Sequence, residues 1–216
     1  MSEDAGTGGA SSRAREVAPS QATGPAGTSQ VPDEVLVRQA SLGEKEAFAQ
    51  LTRRHGPALY RYVVRLLDDP SDAQDCAQEA LFAAWRAIAS FRGVSSFRTW
   101  LLVLGRHQAQ KMSQRRRPPF PQSGSRAPID FHQVTEHLRD LRTGPEGDTV
   151  ESGLLIALDA ALLQLPERQR SVWILREIED LSYAEIAEVT AIAPTSVRGL
   201  LQRARTTIAA SMEDWR

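Results

Sequence analysis

Between Arg117 and Leu154 the chain carries five prolines and four glycines: Pro118, Pro119, Pro121, Pro128 and Pro145, with Gly124, Gly144, Gly147 and Gly153. Proline lacks the backbone donor a helix interior needs, and glycine raises the entropy cost of ordering. Such a stretch reads as a linker, with at most one helical turn around "HQVTEHL". It divides the chain into two parts joined by a flexible connector.

Both parts are helical in texture. "DEVLVRQASLG" ends on Gly43, a natural helix stop. In "EKEAFAQLTRRHGPALYRYVVRLLDD", Phe48, Leu51, Leu59, Tyr62, Val63 and Leu66 recur at roughly helical spacing, with a kink expected at Gly56-Pro57. "PSDAQDCAQEALFAAWRAIASF" opens with Ser71 and Gln74 in capping-box spacing. After a short loop, "RGVSS", Ser96 is placed to cap a helix running to about Arg117, where Pro118-Pro119 ends it. Helical texture returns at Leu154, breaks at Pro166 and resumes in "ERQRSVWILREIED"; "SYAE" gives a second capping box, Ser182 with Glu185.

No alternating run argues for strands, and no segment repeats. The expected fold is all-α: two small helical domains joined by a flexible linker, the C-terminal one a helix-turn-helix. The expected boundaries are 1–32, 33–117, 118–156 for the linker, and 157–216. Residues 1–32 are Gly, Ser, Ala, Thr and Pro with few large apolar side chains, a composition that predicts disorder.

The segment Phe91 to Arg117 holds seven Lys or Arg side chains and no acid, in a chain of formal net charge -1. On its helix, Phe97, Leu101, Leu104, Gly105, Ala109 and Met112 share one face. Thr99, Arg106, His107, Gln110, Lys111, Gln114 and Arg117 share the opposite one, a stripe of donors with no carboxylate to repel phosphate. Cations suit a helix C-terminus, which accounts for Arg115 to Arg117 but not for acids missing throughout. Phe91, Phe97 and Trp100 flank the preceding loop, where a ring can stack on an unpaired base, although Phe97 also falls on the core face. The pattern points to nucleic acid.

The helix before it places Asp72, Asp75 and Glu79, with Gln78, along one ridge. Acids in the first turns of a helix are also plain dipole chemistry, so charge alone leaves a protein-binding role open.

"YAEIAEVTAIAPTSVRGLLQRAR" fits a helix-turn-helix. Ile186, Val189, Ile192, Val197 and Leu200 take the locking positions, and Pro194 suits a first helical residue. Thr195, Arg198, Gly199, Gln202, Arg203, Arg205 and Thr206 point outward, a face able to enter a major groove. Ala191 stands where glycine would relieve a left-handed turn.

No apolar run approaches the ~20 residues of a membrane span, and the N-terminal segment lacks a signal-peptide core. A single cysteine, Cys76, excludes an internal disulfide and a cysteine-based zinc site; a reducing, cytoplasmic setting is expected. No nucleophile motif or phosphate-binding glycine loop is present, and His55, His107, His132 and His137 are scattered. Neither a cofactor nor a metal is expected.

The order of parts resembles the bacterial sigma-70 family, in the short form of the extracytoplasmic-function group. "LPERQR" with "LSYAEIAE", and "DAQDCAQEALFAAW", carry the resemblance, which extends from Asp33 to the C-terminus. It implies a factor that binds RNA polymerase core and directs promoter-specific initiation. It implies that Asp72, Asp75, Gln78, Glu79, Trp85 and Arg86 dock on the polymerase clamp coiled coil, the C-terminal domain lying at the flap. It implies that Ser95, Ser96, Phe97, Arg98, Trp100, Arg106, His107, Gln110 and Lys111 open and read the -10 element. Thr195, Ser196, Arg198, Gly199, Gln202, Arg203 and Arg205 would read the -35 element, and an anti-sigma factor is implied as a further partner. A near-neutral net charge suits a protein that meets DNA once docked on polymerase.

The sequence departs from the family where Asn and Asp are common and His107 and Lys111 stand, and where Lys-Ser-Arg is common and Arg198, Gly199 and Leu200 stand. A promoter sequence therefore cannot be copied from relatives. Two other classes remain: a helix-turn-helix repressor or activator that works without polymerase, and an enzyme built around His132 or His137.

Overall fold

The computed structural model describes residues 31–67, 69–116 and 150–213. Among them every regular element is helical. Four helices form the N-terminal half: α1 Asp33–Ser41, α2 Lys45–Leu66, α3 Pro70–Ala87 and α4 Phe97–Arg116. Four more follow: α5 Val150–Gln164, α6 Glu167–Trp173, α7 Tyr183–Thr190 and α8 Pro194–Ser211. The helical turn expected at "HQVTEHL", the histidines His132 and His137, and the tail up to Gln30 lie outside the described residues.

Local chemistry explains the boundaries. Asp33 and Glu34 open α1 and Arg38 closes it, each complementing the helix dipole. Gly43, at φ +95°, turns the chain where an L side chain would be strained. The helix α2 runs through Pro57, with Leu51, Leu59, Tyr62 and Val63 fully buried along one side. Each such side chain contributes about 1.5–3 kcal/mol by leaving water.

The start of α3 corrects the sequence reading. The cap is Asp69, not Ser71: its carboxylate accepts from the Ser71 and Asp72 amides, and Pro70 takes the first helical position. The buried side of α3 is small, Ala73, Cys76, Ala77, Ala80 and Ala84, which lets α4 lie close. Gly105 makes the crossing of α4 with α2 possible, since a Cβ there would stand 2.3 Å from Leu59 Cδ1. The Cys76 thiol donates to the Gly105 carbonyl at 3.6 Å, and burial pushes its pKa up to about 12.

The helix α5 begins at Val150, inside the stretch expected to be linker. It stops before Pro166, as expected, and α6 continues into one wide π turn, Ile174–Ile178. Asp180 follows at φ +49°, and Ser182 with Glu185 form the full capping box that starts α7. Ala191 adopts the left-handed conformation, φ 53° and ψ 36°, and Pro194 opens α8.

One continuous core runs from Leu36 to Ile208, and residues from Val31 onward form one unit.

Candidate nucleic-acid interface

The basic helix α4 is held at its first turn by Ser96, whose hydroxyl accepts from the Thr99 amide at 3.0 Å. Phe97 is core: it is buried, edge-on to Phe48 and Phe91, and 5.6 Å from the His55 ring. Trp100 is half-buried with its ring 4.8 Å from Phe91. Ahead of them the loop is open, with Val94 and Ser96 exposed, Ser95 half-buried, and Gly93 at φ +67°.

The expected donor stripe is only partly exposed. His107, Lys111, Gln114 and Arg115 face solvent and Gln110 is half-buried. Thr99 and Arg106, assigned by the helical wheel to the solvent side, are 1% and 5% exposed. The C-terminal half covers them. Arg106 donates to the Ser171 hydroxyl at 3.1 Å, which in turn pairs with the Tyr62 hydroxyl at 2.7 Å. Thr99 donates to Glu185 at 3.0 Å, and Arg98 donates to Glu179. Glu185 is held below the ordinary glutamate pKa, first by the Ser182 hydroxyl and amide, and then by Thr99 and Arg98.

On α3, Asp75, Gln78, Glu79 and Arg86 are exposed; Asp72 and Trp85 are half-buried. The structure adds Phe82, 58% exposed on the same helix. Its ring borders a groove of about 370 Å³ with Lys45, Phe48, Gln78, Leu81 and Trp85. The exposed Phe82 ring thus lies on the same helix as the exposed Asp75 and Glu79 carboxylates. Its spacing from Gln78 and Glu79, four and three residues, was the sequence signal that places it on their ridge.

The capping box, the left-handed Ala191 and Pro194 together fix α8 against α7 through Ile186, Val189, Val197 and Leu201. Thr195, Ser196, Arg198, Gln202, Arg203 and Arg205 are exposed, and Gly199 is half-buried. Two of the cations already have company. The Arg198 guanidinium lies 5.7 Å from the Tyr183 ring centre, and Arg205 donates twice to Glu177, at 2.6 and 3.0 Å. Among the described residues no three metal-ligating side chains cluster, and no helix is long and apolar enough to cross a membrane.

Residues 51–118 match the profile of Sigma-70 region 2, and residues 155–208 that of Sigma-70, region 4. The RNA polymerase sigma-H factor of Pseudomonas aeruginosa is 34% identical over 178 residues, spanning 82% of this chain and 91% of its own length. The ECF RNA polymerase sigma-E factor of Haemophilus influenzae is 36% identical over 182 residues, 82% of this chain and 93% of its own. Among solved structures, CnrH in complex with the cytosolic domain of CnrY superposes with a TM-score of 0.61 at 26% identity, covering 84% of this chain and 97% of that one. The sigma factor RpoE of Bartonella quintana, solved with the anti-sigma factor NepR, shares the fold at a TM-score of 0.59 and 20% identity, covering 78% and 98%.

Proposed function

The chain belongs to the bacterial sigma-70 family as an extracytoplasmic-function sigma factor directing promoter-specific transcription initiation, and we propose how its surfaces divide that work. The observation that carries the division is the exposed face of α8. A helix start fixed by Ala191 and Pro194 presents Arg198, Gln202 and Arg203 outward with no acid among them. That face reads the -35 element through the major groove, with Thr195 and Ser196 at its leading end.

Residues 33–117 act as the polymerase-binding and -10 domain, and 157–216 as the -35 domain. The ridge of α3, Asp72, Asp75, Gln78 and Glu79 with Trp85 and Arg86, docks on a basic, apolar-studded surface of polymerase core. Phe82 is its apolar anchor. The loop at Ser95 and Ser96, together with Arg98, Trp100, His107, Gln110 and Lys111, engages the opened -10 strand. Phe97 supports this surface from the core rather than stacking on a base, and Arg106 joins it only when uncovered. The protein works where polymerase and chromosome are, in the cytoplasm, as an initiation factor rather than an enzyme. CnrH was solved with a second protein bound, which supports an anti-sigma factor as a partner here.

Transcription from fragmented genomic DNA with purified core polymerase tests the reading. Discrete start sites should appear only when core and this chain are both present. Promoter binding by the chain alone, equal with and without polymerase, would instead identify a repressor or activator. Catalysis lost on changing His132 or His137 would identify an enzyme.

A further inference from the structure

We propose that Tyr183 is a positioning residue for -35 recognition: its ring holds the Arg198 guanidinium in place before DNA arrives, and Arg198 then discriminates between bases. The proposal rests on the reading of α8 as the -35 helix and adds a residue that sets its specificity.

Three elements converge on this ring. Tyr183 is the first residue of α7, fixed there by the Ser182–Glu185 capping box. Arg176 comes from the π turn Ile174–Ile178, and Arg198 from the early part of α8. Both guanidinium carbons stand 5.7 Å from the ring centre, a distance at which an aromatic face attracts a cation. The ring is half-buried, so its own place is set by packing.

The two cations differ in what else holds them. Arg176 donates from Nη1 to the Leu181 carbonyl at 2.9 Å and lies 3.7 Å from the Asp180 carboxylate. These contacts tie it to the loop just ahead of α7. Arg198 is exposed, and what it rests on is the ring.

An aromatic face holds a guanidinium without using its N–H donors. A carboxylate does use them, as Glu177 takes two from Arg205 at 2.6 and 3.0 Å. Reading a guanine edge needs a fork whose donors are free and whose plane is already set. A side chain placed beforehand also loses less rotamer freedom on binding than one that must be ordered by the DNA. Stacking on Tyr183 meets both requirements, and Arg198 is where the face needs them met.

The experiment uses holoenzyme assembled from core polymerase and the full chain, with selection from a randomised -35 library. Tyr183→Leu keeps a large apolar side chain but has no cation-attracting face. Preference at the position that Arg198→Ala relaxes should fall about fivefold, with binding to other sequences unchanged. Tyr183→Phe keeps the face and loses only the hydroxyl, so it should select the parental sequences. In an Arg198→Ala background, Tyr183→Leu should change nothing further. Parental preference in Tyr183→Leu would overturn the proposal. So would a Tyr183→Phe protein as poor as Tyr183→Leu, which would make the hydroxyl the active group. An even loss across all sequences would overturn it too, making Tyr183 a direct phosphate contact. Should Tyr183→Leu lose helix content, the parent decides, through NMR relaxation of its arginine Nε–H groups without DNA. Arg198 should be more ordered than Arg203, which is equally exposed, and equal mobility sinks the proposal. An Arg198→Ala protein that keeps the parental preference would instead remove base reading by Arg198, and the proposal with it, whatever the Tyr183 variants do.

Discussion

Arg65 and Asp159, 94 residues apart in the chain, meet at 3.0 Å with only 5% and 4% of their side chains exposed. Neither position stands out in the sequence: Arg65 sits among apolar residues near the end of α2, and Asp159 is the one acid in an otherwise apolar run. A buried pair contributes little net stability, yet losing one member leaves an uncompensated charge. Asp159→Ala should therefore cost the fold about 3–5 kcal/mol. Adding Arg65→Met should recover most of that loss. A double-mutant cycle of denaturant midpoints measures it, and a double variant as weak as Asp159→Ala would show that Arg65 is not the stranded group.

On α3 the expectation separates stability from binding. Phe82→Ala changes an exposed side chain, so the unfolding free energy should move by no more than about 0.5 kcal/mol. Its affinity for core polymerase should fall by about 2 kcal/mol, as for an interface anchor. Glu79→Lys with Asp75→Lys should weaken the same interaction by several kcal/mol through like-charge contact, with helix content retained. Titration of labelled polymerase core reads both. Equal affinities for parent and variants would move the docking surface elsewhere.

What the sequence disclosed was local. The Ser182–Glu185 capping box, the stop at Gly43, the Ser96 cap and the Pro194 start each depend on residues within four positions of one another. What it hid was distant. The helical wheel places Thr99 and Arg106 opposite Phe97 and Leu101, and in that it is right. It cannot see that Ser171 and Glu185, 65 and 86 residues on, cover that second side. Polar residues buried by polar partners leave no hydrophobic period, so the seam was invisible. Ser71 and Gln74 have capping-box spacing, but Pro70 takes the first helical position, and the cap falls on Asp69 just before it.

The turn between α7 and α8 carries a strain the sequence did announce. Ala191 has φ 53°, where an L residue with a Cβ pays about 1–2 kcal/mol that glycine avoids. Its side chain is exposed, so nothing is lost by removing it. Ala191→Gly should stabilise the chain by about 1 kcal/mol, less what glycine adds to unfolded-state entropy. Thermal unfolding gives the sign directly. A destabilised variant would mean that the turn is better satisfied by alanine than its dihedrals imply.

The recognition helix should divide its work between Arg198 and Arg205, and the structure gives the two arginines different neighbours. Arg198 lies in the first turns of α8, over the Tyr183 ring, which leaves its donors free to reach a base edge. Arg205, nearly two turns further, is held by the Glu177 carboxylate and must exchange it for phosphate on binding. Arg198→Ala should cost about 1–3 kcal/mol and relax preference at one -35 position. Arg205→Ala should weaken all sequences evenly and flatten the salt dependence by about one contact. Glu177→Gln then supplies the control: with the carboxylate's charge removed, binding should tighten evenly and preference should stay as it was. Selection from a randomised -35 library with holoenzyme reads all three variants at once. If the Arg198→Ala protein selects the parental sequence, Arg198 is not in contact with a base and the outward face of α8 meets DNA in another register.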